Sequence, residues 1–434
     1  MINGIRCRAY PTIDQQITLA QWIGCARVIY NAKVAEMEYF QTFRRKALGA
    51  DPMPEIDQAY SQFKDDELTP YLSEVPSQLL RNSSFQFMTA WQRYRKGLSS
   101  KPAHKKKGRR DSVLLTSELF RFDEQGVLNI GTFRHKVGDL KFCAHREFKT
   151  PKTLVISRKA NRWYVSFCFE DPKLVEPRSQ EDLLSDLSHL SAEQLMAKTW
   201  AGDRGVREML HGSDGQVYHL PSAAVAKHKR REQRKKHLQR QLARQKKKDS
   251  RRRHKTKLSI SRISNQQAEV RKDFAHQVSR QLVNNPAIQI FTFEDLKIAN
   301  MTRRAKPKQD ETGQYLPNGG AAKSGLNRSI LQSCWGNITL FTHYKAARVN
   351  KVCIKVPAQF SSQTCSKCGH TSSENRAGKR FLCTGCGFAC DADFNASLVL
   401  RGRGVSYVLN QDWKAKKAPK KVAFRKKHGS GTRP

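Results

Sequence analysis

The sequence predicts a multidomain α+β protein. Three observations lead there. Strand-like alternation at residues 2–10 resumes in short runs between 112 and 169, helical periodicity fills the gaps and dominates later, and two Cys-x-x-Cys pairs stand beside an acidic motif near the C-terminus. With 434 residues the chain has room for two to four domains, each with its own core.

Taken in order, Ile5, Cys7 and Ala9 alternate with Arg6 and Arg8 at period two, which predicts a strand ended by Pro11-Thr12. Leu19, Ile23, Ala26, Tyr30, Val34 and Met37 then recur at spacings of three and four, a helix face. A loop rich in proline and acid, Asp51–Glu55, leads to further helices, one of which carries Leu80, Phe87, Trp91 and Tyr94 on one side. The runs Ser112–Phe122, Val127–Ile130, Leu140–Cys143, Thr153–Ser157 and Trp163–Phe169 follow a basic loop at 105–110 and have the spacing of a β-barrel. The acidic stretch Glu176–Lys198 reads as a helical insertion or linker. Trp200–Val206 reads as a strand end, 212–220 as a hairpin turning at Ser213-Asp214-Gly215, and Ser222–Lys248 and Leu258–Val283 as helices. Ala287–Phe293 is a buried type of strand closed by Glu294-Asp295.

Charge narrows the partners. Lys and Arg number 80 against 38 Asp and Glu, a net charge of +42. Such an excess repels itself unless a polyanion neutralises it, so nucleic acid leads and an anionic membrane surface comes second. No run of about 18 apolar residues predicts a bilayer span, and Met1–Arg6 lacks the apolar segment of a signal peptide. Of eleven cysteines, four are paired in the motif and seven are scattered, which suits a reduced protein with one metal site better than a disulfide framework. The expected location is the bacterial cytoplasm, in association with the nucleoid.

Three constellations carry chemistry. Asp203, Glu294 and Asp393 each end or follow a strand-like run, and converging carboxylates are hard oxygen ligands suited to Mg²⁺ or Mn²⁺. Two such ions, about 4 Å apart, activate water and stabilise the leaving oxygen in phosphodiester hydrolysis. Cys365, Cys368, Cys383 and Cys386 fit one tetrahedral Zn²⁺, and four thiolates close the shell, so that zinc is structural and His370 stays outside it. The glycine after each pair permits the tight turn that aims backbone amides at thiolate sulfur. The cationic stretch Lys227–Lys257 presents charge on every side of a helix, which favours phosphate contact over a solvated face. The nucleic-acid-binding candidates are Lys105, Lys106, Arg109, Arg230, Arg234, Arg251, Arg252 and Arg253. No Gly-x-x-x-x-Gly-Lys-Ser/Thr loop is present, which argues against nucleotide hydrolysis for energy.

Gln363–His370, Glu374-Asn375-Arg376 and Asp391-x-Asp393-x-Asn395-Ala396 resemble the C-terminal signature of the TnpB family of transposon-encoded nucleases, which are similar to the compact type V CRISPR effectors. Asp203–Val206, Arg271–His276, Phe293–Lys297 and the opening Arg8–Thr12 with Gly24–Arg27 agree. Asp203, Glu294 and Asp393 match the family's metal-binding carboxylates, with Asp391 as the competing third residue and Asp393 better spaced from Asn395. The chain departs from the family at Ala201-Gly202, where glycine and then a branched apolar residue are usual.

The resemblance implies a β-barrel wedge at 1–13 and 100–173, a helical recognition lobe at 14–99 and an acidic linker or insertion at 174–198. It implies a RuvC-like, RNase H-type nuclease domain at 199–357 and 391–400, a zinc ribbon binding target nucleic acid at 358–390, and a basic, disordered tail at 401–434. The implied activity is RNA-guided cleavage of double-stranded DNA next to a short transposon-associated motif, by one protein on each guide RNA derived from the transposon end. A guided repressor or transposition regulator with a silent nuclease site, a DNA transposase, and an unguided RNA-binding protein are the competing functions.

Overall fold

A computed structural model of the chain describes residues 2–47, 56–109, 111–123, 126–171, 176–206 and 208–413. They fall into two compact units, 1–175 with 247–262 and 176–246 with 263–434. The loop at 51–55, Arg110 and the chain beyond 413 lie outside the described residues. Among the described residues no helix is long and apolar enough to cross a membrane.

In the first unit β1 (Ile2–Ala9) leads into α1 (Ile13–Ala47) and α2 (Ser77–Arg95). There follow β2 (Asp111–Thr116), β3 (Phe120–Phe122), β4 (Leu128–Gly131), β5 (Lys136–Leu140), β6 (Phe142–Cys143), β7 (Thr153–Lys159) and β8 (Arg162–Glu170). The period-two expectation for β1 holds: Ile5, Cys7 and Ala9 are buried and Arg6 is exposed. The strands form two antiparallel sheets, in the orders β2-β7-β8-β1-β6 and β3-β4-β5. The expected single run Ser112–Phe122 is broken by a turn of 3-10 helix at Ser117–Leu119, which buries Leu119 and carries the chain from one sheet to the other. Leu19 and Trp22 of α1 and Leu79 and Leu80 of α2 join Ile5, Val113, Ile156 and Val165 in one core. Further along, Tyr30, Val34 and Met37 meet Phe87 and Trp91 in a smaller cluster. Each such fully buried side chain contributes about 1.5–3 kcal/mol.

The second unit opens with α3 (Gln180–Leu187) and α4 (Ala192–Lys198), then β9 (Thr199–Asp203), β10 (Leu210–Gly212), β11 (Val217–Tyr218) and α5 (Ser222–Arg244). Helix α6 (Arg251–Asn284) begins in the first unit and continues in this one. Next come β12 (Ile290–Glu294), α7 (Ile298–Met301), β13 (Lys308–Gln309), β14 (Tyr315–Leu316), α8 (Gly320–Gln332) and α9 (Trp335–Arg348). The remainder is β15 (Val352–Val356), β16 (Arg376–Ala377), β17 (Arg380–Leu382), β18 (Ala389–Asp391) and α10 (Ala392–Leu409).

The central sheet runs β11-β10-β9-β12-β15, with β9, β12 and β15 parallel and β10 antiparallel. It is covered on both faces. Trp200, Phe291 and Phe293 point toward α6 and α9, whereas Ala201, Ile290, Val352 and Ile354 point toward α10, α3 and α4. Burial on both faces explains why 287–293 reads as an almost continuous apolar run. Helix α10 lies against the sheet so closely that a Cβ on Gly404 would come within 2.2 Å of Thr292 Oγ1.

The acidic segment, expected as a helical insertion or linker, is two short helices capped by Ser179 and Ser191, with Leu183, Leu184 and Leu195 in the core. Two expectations are corrected. The basic stretch 227–257 is not one helix: α5 stops at Arg244, and α6 starts at Arg251 behind Ser250, whose Oγ accepts from Arg253 N. The tail expected from 401 does not begin there: α10 continues to Leu409 with Val405 and Val408 buried, and the chain beyond 413 lies outside the described residues.

Candidate active site and metal centre

The parallel register sets Phe293 beside Gly202, so Glu294 and Asp203 end adjacent strands side by side. Such strand ends are where open α/β sheets place their ligands. The first turn of α10 brings the third carboxylate: burial pushes Asp203 up to about 7, and the neighbouring Glu294 and then Asp393 push in the same direction. Glu294 is raised by burial, against which Arg204, Ser361 and Arg403 work. The structure therefore brings Asp203, Glu294 and Asp393 together. Asp203, whose proton affinity is raised by burial and by the two neighbouring carboxylates, completes an anionic cluster whose oxygen donors fit a hard divalent cation.

Asp391 is occupied elsewhere. Its Oδ1 accepts from the backbone amides of Asp393 and Phe394 as the N-cap of α10, and His211 Nε2 lies 3.8 Å away. Asp393 is the second residue of the helix, where Arg376 Nη2 donates to it at 3.0 Å. Two arginines thus border the carboxylates. Arg204 is buried: Nη2 donates to the Glu294 backbone carbonyl, Nη1 reaches Thr339 at 3.5 Å, and Nε lies 3.9 Å from Glu294 Oε2. Ser361 Oγ faces Glu294 Oε1 at 3.5 Å.

The four motif cysteines converge. Their sulfurs lie within 4.8 Å of one another, with Cys365–Cys386 at 3.7 Å and Cys368–Cys383 at 3.5 Å. Tetrahedral thiolates on zinc, each at about 2.3 Å, stand roughly 3.8 Å apart, so the set fits the ion. Among the described residues it is the one group of three or more metal-ligating side chains this tight. Gly369 at φ 77° and Gly387 at φ 72° occupy the left-handed region after each pair. The amides of Gly385 and Cys386 point at the Cys383 sulfur, and that of His370 at Cys368. The His370 ring instead meets Thr384 Oγ1 at 3.1 Å.

Two buried asparagines, present in the motif but given no role by sequence reasoning, tie this centre together. Asn375 donates to the carbonyls of Gln363 and His370 and accepts from Thr384 N, joining the two cysteine knuckles. Asn395 accepts from Ser366 N and donates to the Thr364 carbonyl, joining the first knuckle to α10. Asp393 and the cysteine centre are therefore linked through one helix turn.

The basic candidates divide. Lys106, Arg109, Arg230, Arg234, Arg251 and Arg252 are exposed, and Arg253 is half-buried. Arg230 and Arg234 belong to the second unit, while Arg251–Arg253 count with the first. Lys105 does not fit a phosphate contact: its Nζ stands 3.7 Å over the Tyr30 ring and 3.3 Å from Gln86 Oε1, and burial lowers it to about 8. No signal in a run of lysines marks which of them turns inward.

Three family descriptions match segments of the chain: a helix-turn-helix domain at 1–41, a probable transposase at 188–305, and a Cas12f1-like TNB domain at 335–400. These matches bear out the resemblance to the TnpB family. Two relatives bear the name "Putative RNA-guided DNA endonuclease". InsQ of Escherichia coli (strain K12) is 28% identical, covering 91% of this chain and 90% of its own length. The protein of Streptomyces pristinaespiralis is 25% identical, covering 93% and 90%. A CRISPR-associated endodeoxyribonuclease Cas12f1 of Sulfoacidibacillus thermotolerans is 44% identical over 55 residues, 12% of this chain and 13% of its own. A Cas12f1 chain solved with sgRNA and target DNA superposes with a TM-score of 0.52 at 11% identity, covering 92% of this chain and 98% of that one, a likeness of fold. The chain thus shares a mixed α+β, multi-part architecture with that Cas12f1 chain.

Proposed function

We propose that the chain is an RNA-guided DNA endonuclease that cuts double-stranded DNA beside a short transposon-associated motif. The observation that carries this reading is the meeting of Asp203, Glu294 and Asp393 at adjoining strand ends and the start of α10. The names of the two full-length relatives supply guide RNA and DNA as partners. The second unit then serves as a RuvC-like nuclease domain holding Mg²⁺ or Mn²⁺, with the four cysteines as a structural zinc ribbon inside it. One protein per guide RNA, transcribed from the transposon end, completes the assembly.

Divalent ions held by the three carboxylates would supply an activated water and stabilisation of the leaving oxygen. The chain's own groups prepare that site. Arg204 fixes the end of β12 through the Glu294 carbonyl, and the Asp391 cap fixes the first turn of α10, so two carboxylates arrive on rigid backbone. Asn395 holds the same helix to the cysteine centre, which makes the zinc ribbon a support for Asp393 rather than a reactant.

The test is cleavage by the reconstituted protein–RNA complex over a Mg²⁺ and Mn²⁺ series. Asp203→Ala, Glu294→Ala and Asp393→Ala should each abolish product while retaining target binding. Normal cutting by any one of them removes that residue from the site. The match to a transposase description at 188–305 favours a second reading. Strand-transfer products formed without guide RNA would establish it, and target binding without product across the metal series would establish a guided repressor.

A further inference from the structure

The second unit contains a cleft of about 690 Å³, separate from the carboxylates, between α5, α6, the segment after α7 and α8. That volume suits a ligand of small-molecule size, about one to two nucleotides of a strand. Among the described residues Lys235, Arg271, Arg304, Lys323 and Arg328 line it, and no Asp or Glu does so. Lys235 is engaged by Glu232 at 2.7 Å and by Gln267 at 3.3 Å. The other four cations form no ion pair among the described residues. Cations on a convex helix face are ordinarily left to water. Here they converge on a concavity, and α8 opens at its wall with Gly319-Gly320, adding the positive end of a helix dipole.

Asn327 on the same wall specifies more than charge. Its Nδ2 donates to the backbone carbonyls of Thr302 and Arg303 at 2.9 and 3.1 Å. Those two acceptors fix the amide orientation, since the reversed amide would set oxygen against oxygen. Oδ1 is left buried with no donor. A buried acceptor without a partner costs about 1–3 kcal/mol, and such a group persists where a ligand completes it. The four cations beside it suit a phosphate-bearing ligand, and a donor on that ligand would satisfy Oδ1. A ribose 2′-hydroxyl is the donor that every RNA nucleotide carries whatever its base, and DNA lacks it.

We propose that this cleft seats one or two nucleotides of an RNA strand, with phosphates on Arg271, Arg304, Lys323 and Arg328 and a 2′-hydroxyl donating to Asn327. The inference rests on the reading above only in taking RNA as a partner. It adds a discrete seat whose lining does not include the cutting residues.

The test uses the full chain with a fluorescent RNA strand and the DNA strand of the same sequence. A photo-crosslinking p-benzoylphenylalanine replaces Leu331, which is exposed on the cleft rim. The expected result is an adduct with RNA and far less with DNA. Lys323→Gln with Arg328→Gln should remove the adduct and flatten the slope of log affinity against log salt for RNA by about 1.4, at roughly 0.7 for each phosphate that is no longer neutralised. The same photo-crosslinker at Leu340, exposed on α9, serves as the control that this pair leaves unchanged. No RNA adduct at 331, an unchanged slope, or equal adducts with RNA and DNA would each overturn the proposal. Cleavage by the unsubstituted protein is followed in parallel: cutting without the adduct defeats the cleft alone, and the adduct without cutting defeats the nuclease reading alone.

Discussion

Trp200 and Gly202 form an exchange that explains the chain's departure at Ala201-Gly202. The indole of Trp200 folds beneath the strand end, so a Cβ on Gly202 would meet Trp200 Cη2 and Leu210 Cδ1, both at 2.6 Å. The volume a branched residue would occupy at 202 is supplied from two residues earlier. Overpacking a filled core costs about 1–3 kcal/mol, and here the strain would fall on the residue preceding Asp203. Gly202→Val should therefore lower the melting temperature by several degrees and slow cleavage. Trp200→Ala should cost about 3–5 kcal/mol through its cavity. The double variant should be more stable than the sum of the two predicts, by more than about 0.5 kcal/mol in a double-mutant cycle on thermal unfolding. Strictly additive costs would show that the two residues do not share the space.

A second prediction at this scale concerns Lys105. Burial lowers its folded pKa to about 8, against 10.5 unperturbed, so between those values the unfolded chain binds the proton that the folded chain has lost. Stability rises with pH through that window, and below it both states are protonated and the full cost remains. That cost is at most about 3 kcal/mol, and the contact with the Tyr30 ring returns about 0.5–2 kcal/mol of it. Lys105→Met should raise the melting temperature at pH 7, abolish the gain in stability between pH 8 and 10, and leave the salt dependence of RNA binding unchanged. A flattened salt slope would restore Lys105 to the phosphate-binding set.

At the scale of elements, α10 decides which aspartate faces the cation. A carboxylate that caps a helix is held by two amides, whereas two positions inward the side chain meets Arg376 and its carboxylate neighbours across the strand ends. Asp391→Asn keeps an acceptor at the cap and should retain cleavage. Asp391→Ala should cost about 0.5–2 kcal/mol of stability with a partial loss of cutting. Asp393→Asn removes the charge with nearly the same shape and should abolish cutting without lowering the melting temperature. Loss of cleavage in Asp391→Asn, measured beside normal target binding, would reverse the two assignments. The distinction was only half legible in the sequence. Spacing to Asn395 favoured Asp393, but the reason lies in hydrogen bonds that Asp391 makes with backbone two and three residues on.

Over the whole molecule, what was legible followed from short-range chemistry. Period two in β1, the apolar run of β12, the acid at its end and the paired cysteines each depend on residues a few positions apart. What stayed hidden depends on partners far along the chain. Arg204 matters through Glu294 and Thr339, and Asn395 through Thr364 and Ser366. The break expected between Lys248 and Leu258 falls earlier, between Arg244 and Arg251, where no proline or glycine marks it and Ser250 serves as the cap. The same long-range ties predict how the molecule responds to losing zinc. Thiolates without an ion repel one another, so removal should open both cysteine knuckles. Asn375 and Asn395 then lose the backbone carbonyls that orient them, and the first turn of α10 loosens with them. The core of the first unit shares no residue with this centre. With a zinc chelator, amide hydrogen exchange should accelerate across 363–395 and stay slow in β7 and β8. Cleavage should fall with the loosening of Asp393 while the order of preference among divalent ions in any residual cutting is unchanged. Exchange that accelerates equally in both units would mean that zinc holds the whole chain together, and an altered ion preference would place the cysteine centre in the chemistry itself.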